Sequence, residues 1–364
     1  MKKRLWIALC MIGCICISGC KNHSDDASQN ESQISETTSN QKNSSEESSN
    51  EASRELFAMD TYMTVTAYGG NAQEAVDQAA VEIERLDALL STGQSDSEVA
   101  QINENGGGNI SEDVEYLLTR SLELYQDTKG KFDIAIYPVM KAWGFTDENY
   151  RVPSDEEIGE LLKLTDASRI QYDVDEHSVG FQMEGMQIDF GGIAKGYTSS
   201  RVMDIYRECG IESGLVNLGG NVQVLGTKTD GSQWRIAIQS PEDENEYLGV
   251  LSTEDRAVIT SGGYERYFEQ DDTTYHHIIN PTTGRPADNG LVSVTIVSAD
   301  GTLADGLSTS LFIMGKDEAI EYWRAHSSEF DIILMDTDEV LWVSEGIAGS
   351  FESDYEVKIV EKQN

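Results

Sequence analysis

The sequence predicts an α+β fold for a globular body of about 310 residues, on three observations. Helical and strand patterns fall in separate clusters rather than in regular βαβ alternation. Apolar residues recur at the helical period in a few long segments, and short β-branched runs fill the remainder. With 364 residues and 39% hydrophobic content, the chain can bury one large core or two modest ones once its N-terminal stretch is set aside.

That N-terminal stretch reads as a targeting segment. Lys2, Lys3 and Arg4 precede an apolar run from Leu5 to Ile17, which is too short to span a bilayer and is laid out like a secretory signal. It closes on Ile17-Ser18-Gly19-Cys20, a tetrapeptide that resembles a bacterial lipobox. Cleavage before Cys20 and lipidation of its thiol would anchor the chain to the bacterial cell membrane on its extracytoplasmic face; an ordinary signal peptide with an incidental cysteine is the alternative. From Lys21 to about Arg54 the chain is Ser, Asn, Glu, Gln and Asp with almost no apolar residue, so it cannot repay the entropy of ordering. Such a tether of about 33 residues reaches roughly 30 Å. The expected organisation is a signal peptide over 1–19, the lipidated cysteine and tether over 20–54, and a folded domain over 55–364. Only Cys209 lies in the body, so no intramolecular disulfide forms there.

Within the body, Asn71 and Glu74 read as a capping-box pair ahead of Val76, Ala79, Ile83, Leu86 and Leu90. A second helix starts at Ser111, buries Val114, Leu117, Leu118, Ser121 and Tyr125, and stops at Gly130. A third follows Lys195 through Val202, Ile205, Tyr206 and Cys209 to Gly210, which makes Cys209 a small buried apolar residue. Strand-like runs cover Gly214 to Leu218, Val222 to Leu225, Trp234 to Gln239, Val258 to Ser261, Val292 to Val297, Ile332 to Met335 and Val340 to Val343.

The formal charge of -39, from 65 acidic residues against 26 basic ones, leaves no basic stripe for nucleic acid. An anionic ligand on so acidic a chain calls for a bound cation.

Five segments carry candidate chemistry. Gly130-Lys131-Phe132-Asp133, followed by Pro138 and Trp143-Gly144-Phe145, could wall a planar ring or simply pack a core. Ile188-Asp189-Phe190-Gly191-Gly192-Ile193-Ala194-Lys195-Gly196 reads as a strand, two glycines and a helix with lysine in its first turn, a layout that favours phosphate but lacks P-loop spacing. Asn217-Leu218-Gly219-Gly220-Asn221 is a second glycine pair at a strand end, or a plain hairpin. Thr260-Ser261-Gly262-Gly263-Tyr264-Glu265-Arg266 leads to Tyr275-His276-His277-Ile278-Ile279-Asn280-Pro281-Thr282-Thr283-Gly284-Arg285-Pro286. If that run is extended, Tyr275, His277 and Ile279 share one face and His276 points the other way. Last, Asp305-Gly306-Leu307-Ser308-Thr309 opens an apolar run; on a helix the Asp carboxylate and Thr hydroxyl share a face and can reach a hard cation, unless the Asp is an N-cap.

Together and in this order, the five segments resemble the ApbE family, the FAD:protein FMN transferases, from about Met59 to the end of the chain. The family's sequence of Asp-aliphatic-Gly-Gly-Ile-x-Lys-Gly, Asn-Leu-Gly-Gly, Thr-Ser-Gly, His-Ile-Ile-x-Pro-x-Thr-Gly and Ala-Asp-x-x-Ser-Thr corresponds to them segment by segment. The resemblance implies mixed, mostly antiparallel sheets packed with helices and a flavin site between subdomains. It implies Mg²⁺ held by the Gly192 carbonyl and the side chains of Asp305 and Thr309. Met59, Lys131, Phe132, Asp133, Asp189, Lys195 and Ile279 would contact the flavin nucleotide, and His277 would accept a proton at a pKa near about 6.5. The implied substrate is FAD, and the implied partner is a target protein, an extracytoplasmic redox or electron-transfer flavoprotein, with an acceptor Ser or Thr. Two departures stand out: Ser91-Thr92-Gly93, where an aromatic commonly follows Ser-Thr, and Asn280-Pro281, where Asp-Pro is usual. They keep open an FAD pyrophosphatase that releases FMN and AMP; a non-catalytic flavin-binding lipoprotein is the other alternative.

Overall fold

The structure is a computed structural model that describes residues 50–243 and 245–363. The signal segment, Cys20 and nearly all of the tether lie outside the described residues. A nine-stranded sheet organises the body, and its spatial order is the chain order: β1 (Glu51–Ala58), β2 (Thr61–Tyr68), β3 (Ser213–Leu218), β4 (Asn221–Leu225), β5 (Ala257–Gly262), β6 (Leu291–Ser298), β7 (Phe330–Asp336), β8 (Val340–Ser344) and β9 (Glu356–Val360). Neighbours are antiparallel throughout except β8 and β9, which are parallel. The α-helices longer than one turn are α1 (Ala72–Leu90), α2 (Glu98–Asn105), α3 (Glu112–Asp127), α4 (Tyr137–Trp143), α5 (Asp155–Leu161), α6 (Ala194–Glu208), α7 (Gly301–Met314) and α8 (Lys316–His326).

Both faces of the sheet are covered. On one, α1 and α6 bury Val76, Ala79, Ile83, Val202 and Tyr206 against Met63, Val65, Val216 and Leu218. The same layer continues where Leu307 and Leu311 of α7 join Ile259, Val294 and Ile296. On the other, a three-stranded sheet of Trp234–Gln239, Tyr247–Thr253 and Phe351–Glu352 brings Ile236, Ile238 and Leu251 against Val258, Val297 and Ile333. Burial on both faces explains why Leu291 to Ser298 reads as a continuous rather than alternating run. A satellite cluster of Val139, Trp143, Phe145, Ile158 and Ile279 stands beside the main layers. Among the described residues no helix is long and apolar enough to cross a membrane.

The α+β class and the expected strands hold. β1 and β2 went unassigned in the sequence, and β1 begins at Glu51, inside the stretch expected to be tether; its Glu-Ala-Ser-Arg-Glu-Leu composition has no strand pattern, and pairing to β2 along its whole length forms it. The Asn71 capping box does not form: the Asn71 amide donates instead to the Cys209 carbonyl, 2.8 Å away, and ties the start of α1 to the end of α6. That position at the helix end leaves Cys209 half-buried rather than buried. Ser111 caps α3 as expected.

One contact sets how α6 and α7 meet. A Cβ on Gly196 of α6 would lie 2.1 Å from the Gly301 carbonyl and 2.5 Å from Asp305 Cβ, so α6 and α7 cross at backbone-to-backbone distance. Gly196→Ala should therefore lower the unfolding free energy by about 1–3 kcal/mol through overpacking. Gly159→Ala in α5, where a Cβ meets open space, should raise it by roughly 0.5–1 kcal/mol. Urea unfolding of both variants checks this, and equal stabilities would show the crossing to be loose.

Candidate active site

The crossing places the first turn of α6 against the second turn of α7. Asp305 Oδ2 accepts the Gly196 backbone N–H at 2.8 Å, and Oδ1 accepts from Asn221 Nδ2 at 3.1 Å. Asp305 is 4% exposed, and burial pushes its carboxyl up against the pull of Lys195. It is not an N-cap; that role belongs to Asp300, whose carboxylate accepts from Leu303 N. One helical turn on, Thr309 faces the same way. Its hydroxyl makes no hydrogen bond among the described residues, and a Cβ on Gly192 would sit 3.8 Å from it and 3.1 Å from the Phe132 ring. The fold thus brings Gly192, Phe132, Asp305 and Thr309 together.

The segment entering α6 is not a sheet strand as expected. Asn103 stands in for a neighbouring strand: its Oδ1 accepts from Ile188 N at 2.7 Å and its Nδ2 donates to Ile188 O at 2.8 Å. Asp189 Oδ1 then accepts the Gly191 N–H at 2.9 Å, shaping the glycine turn, and its carboxyl is raised by burial against the pull of Arg266. Lys195 makes no ion pair among the described residues, although its charge acts on Asp305, Glu265 and His277. Glu265 is exposed, and desolvation on its protein-facing side moves its carboxyl upward, with Lys195 opposing and Asp305 adding to the shift.

Met59 reaches the same helix from the β1–β2 turn, where it and Asp60 both have positive φ (48° and 59°). Its N–H donates to Asp87 at 2.9 Å and its sulfur lies 3.8 Å from the Thr198 hydroxyl. Asp133 behaves differently from a free ligand group. Its Oδ1 accepts from Ala135 N at 2.8 Å and its Oδ2 from Asp166 N at 2.9 Å, while burial pushes the carboxyl up to about 6. Those bonds hold the 131–133 loop in place, so its exposed offerings are largely backbone. Lys131 stands 3.8 Å from Glu318 on α8.

The histidine pair splits as strand alternation requires. His276 packs edge-on to Phe312 and bonds the Ala287 carbonyl at 2.9 Å through Nε2. Tyr275, His277 and Ile279 lie on the opposite side, with the Trp143, Phe145 and Phe268 cluster. His277 takes the Arg266 carbonyl twice, through its backbone N–H at 3.0 Å and through Nδ1 at 3.1 Å. A carbonyl can only accept, so Nδ1 carries the proton and Nε2 keeps a free lone pair. Its pKa is not the ordinary one expected from sequence: burial, with Arg266, His276 and Lys195 nearby, pushes it down to about 3. The Asn280 departure leaves this arrangement untouched, since Asn280 Oδ1 accepts from Thr282 N at 2.9 Å within its own turn. Gly93 is exposed, in a turn held by the Ser91 hydroxyl. Asn221 and Arg266, which hold Asp305 and His277, were visible in the glycine motifs only as neighbours without roles. A cavity of about 240 Å³ lined by Arg120, Leu303 and Leu307 opens on the opposite face of α7 and contains none of these residues.

Comparison with known proteins places this arrangement. The ApbE family model matches residues 59–334. The chain is 37% identical to the FAD:protein FMN transferase of Klebsiella pneumoniae over 240 residues, 65% of this chain and 74% of that protein. It is 32% identical to the enzyme of the same name from Vibrio cholerae, over 71% and 78% respectively. The crystal structure of the ApbE protein of Thermotoga maritima superposes with a TM-score of 0.74 at 32% identity, covering 83% of this chain and 96% of that one. The flavin transferase ApbE from Vibrio cholerae gives 0.72 at 26%, covering 85% and 97%.

The depressed His277 value has a sign that can be measured. An unfolded histidine takes up its proton near about pH 6.5, whereas folded His277 does so only near 3. Its contribution to stability is thus complete above the unfolded value and lost as pH falls through that window. NMR should find the imidazole neutral with the proton on Nδ1 at about pH 5, and His277→Gln should flatten that part of the acid limb in a stability-versus-pH series. A titration midpoint at or above 6.5 contradicts the assignment.

Proposed function

The chain belongs to the ApbE family, and from that premise we propose that it is a Mg²⁺-dependent flavin transferase that moves FMN from FAD to a Ser or Thr hydroxyl of a target protein and releases AMP. The observation that carries this reading is the juxtaposition of an unpaired Lys195, the Asp305 and Thr309 oxygens, and a neutral His277 with Nε2 free. Transfer needs a phosphate-facing cation, a place for a hard metal ion and a proton acceptor, whereas mere binding needs no proton acceptor.

The donor set suits Mg²⁺. A buried carboxylate, an unpartnered hydroxyl one turn away and the nearby Gly192 backbone are all hard oxygen groups. When bound by Asp305, Thr309 and the Gly192 carbonyl, Mg²⁺ would neutralise charge on the pyrophosphate and on the departing AMP. Lys195 adds a positive charge at the N-terminus of α6, where the helix dipole also favours an anion. Met59, Phe132, Asp189 and Ile279, with Lys131 and the backbone at Asp133, orient the flavin nucleotide. The acceptor hydroxyl gives its proton to His277 Nε2 as its oxygen forms a bond to the phosphorus of the FMN half. The phosphorus–oxygen bond to AMP breaks, and that electron pair leaves with AMP. A pKa near 3 makes His277 a weak base in the empty site, and it also keeps the ring unprotonated at every physiological pH; the negative phosphates raise its basicity when they arrive. Exposed Gly93 favours a second reading, in which water takes the place of the acceptor and free FMN leaves.

We propose further that Cys20 anchors the chain to the outer side of the cell membrane, the reading supported by Lys2 to Arg4, the short apolar run and the tetrapeptide before Cys20.

Incubation with FAD, Mg²⁺ and an acceptor protein should add one FMN to the acceptor by mass spectrometry and release AMP; AMP with unmodified acceptor and free FMN selects the hydrolase. His277→Ala should cut transfer by about 10²–10⁴ with FAD binding kept, and His276→Ala should lower stability more than rate. Equal loss of rate in both reverses the catalytic face. Asp305→Ala should abolish the Mg²⁺ dependence together with most turnover, as EDTA does in the parent; Mg²⁺-stimulated turnover in the variant moves the metal elsewhere. Cys20→Ala should shift the protein from the membrane fraction to the soluble one, and unchanged retention removes the anchor.

A further inference from the structure

Arg266 carries a function that its neighbours in sequence do not reveal. Among the described residues, every arginine except Arg256 and Arg266 makes an ion pair with a carboxylate. Arg256 is exposed, beside the start of β5. Arg266 is partly buried, and its charge is felt by both Asp189 and His277. In a chain with 65 acidic residues, a half-buried arginine without a paired carboxylate is an exception. Enclosed charge without a partner is costly, and the cost is recovered when an anion fills the place.

The backbone of the same residue holds the base. Its carbonyl accepts the His277 N–H at 3.0 Å and Nδ1–H at 3.1 Å, so the residue that carries the guanidinium is tied through its backbone to the imidazole. A fixed cation beside a proton acceptor opposes the transfer it serves, unless an anion stands between them during the reaction. We propose that the Arg266 guanidinium binds the phosphate oxygens of the flavin nucleotide beside His277, while Lys195 binds them from α6, and clamps the phosphorus next to Nε2. The planar fork of the guanidinium can take two phosphate oxygens at once, which fixes orientation as well as charge. Lys195 lies at the α6 terminus and acts on Asp305, so the two cations grip from different elements. This inference rests on the reading of the site as one for FAD.

Arg266→Gln and Arg266→Lys test it in the full chain with Mg²⁺, with FAD, FMN and riboflavin binding followed by flavin fluorescence and FAD turnover followed alongside. Riboflavin carries the ring system without phosphate. Arg266→Gln should weaken FAD and FMN about 10- to 100-fold and leave riboflavin unchanged, with Arg266→Lys between it and the parent. Thermal melting should stay near that of the parent, because the carbonyl that holds His277 remains; if the Gln variant melts early, the Lys variant carries the comparison. Unchanged FAD affinity, or equal weakening of riboflavin, overturns the assignment to phosphate while parent turnover keeps the FAD reading intact. A parent that neither binds nor turns over FAD overturns that reading and this inference with it.

Discussion

The whole arrangement depends on two helices meeting where neither has a side chain. α6 ends one chain segment and α7 begins another far along the sequence, yet Gly196 and Gly301 let their backbones touch. That approach delivers the Gly196 N–H to the Asp305 carboxylate. It also brings Gln223 and Ser199 into a buried bond at 2.6 Å beside the crossing. Any side chain at Gly196 would push the first turn of α6 away from Asp305, and Lys195 would go with it. The cation and the acid are therefore placed by packing rather than by attraction to each other.

Electrostatics then works on a frame already set. The chain is acidic overall, and it spends nearly all its described arginines on surface carboxylates. Among the described residues, Lys195 and Arg266 are kept apart from this pairing. Burial, with their fields added to it, holds His277 neutral, and burial raises Asp189 and Asp305 against the pull of Arg266 and Lys195. In the proposed reading, an anionic substrate accompanied by a divalent cation would balance these charges.

Much of this was legible in the sequence because glycine pairs mark close approaches and strand alternation is a hard geometric rule. His276 and His277 separated as period two demands, and Asp305 and Thr309 share a helix face as period 3.6 demands. The expected strands formed where β-branched runs stood between two layers. What could not be read depended on partners distant in sequence. β1 forms because β2 lies beside it, and Asn71 leaves its own helix to bond Cys209. Asn103 replaces a strand at Ile188, and the carboxylate of Asp133 is taken up by Asp166. The pKa of His277 was out of reach for the same reason, since the burial that depresses it and the approach of Arg266 and Lys195 arise only in the folded chain.

The central claim is that the α6–α7 crossing builds one site in which a divalent cation and two fixed cations embrace a pyrophosphate beside His277. Crystals soaked with FAD and Mn²⁺ in place of Mg²⁺ test it most directly through the anomalous signal of the metal. The account predicts a metal peak bounded by Asp305, Thr309 and the Gly192 carbonyl, with the pyrophosphate between it and His277. A peak elsewhere, or FAD bound with its pyrophosphate away from Lys195 and Arg266, would contradict it.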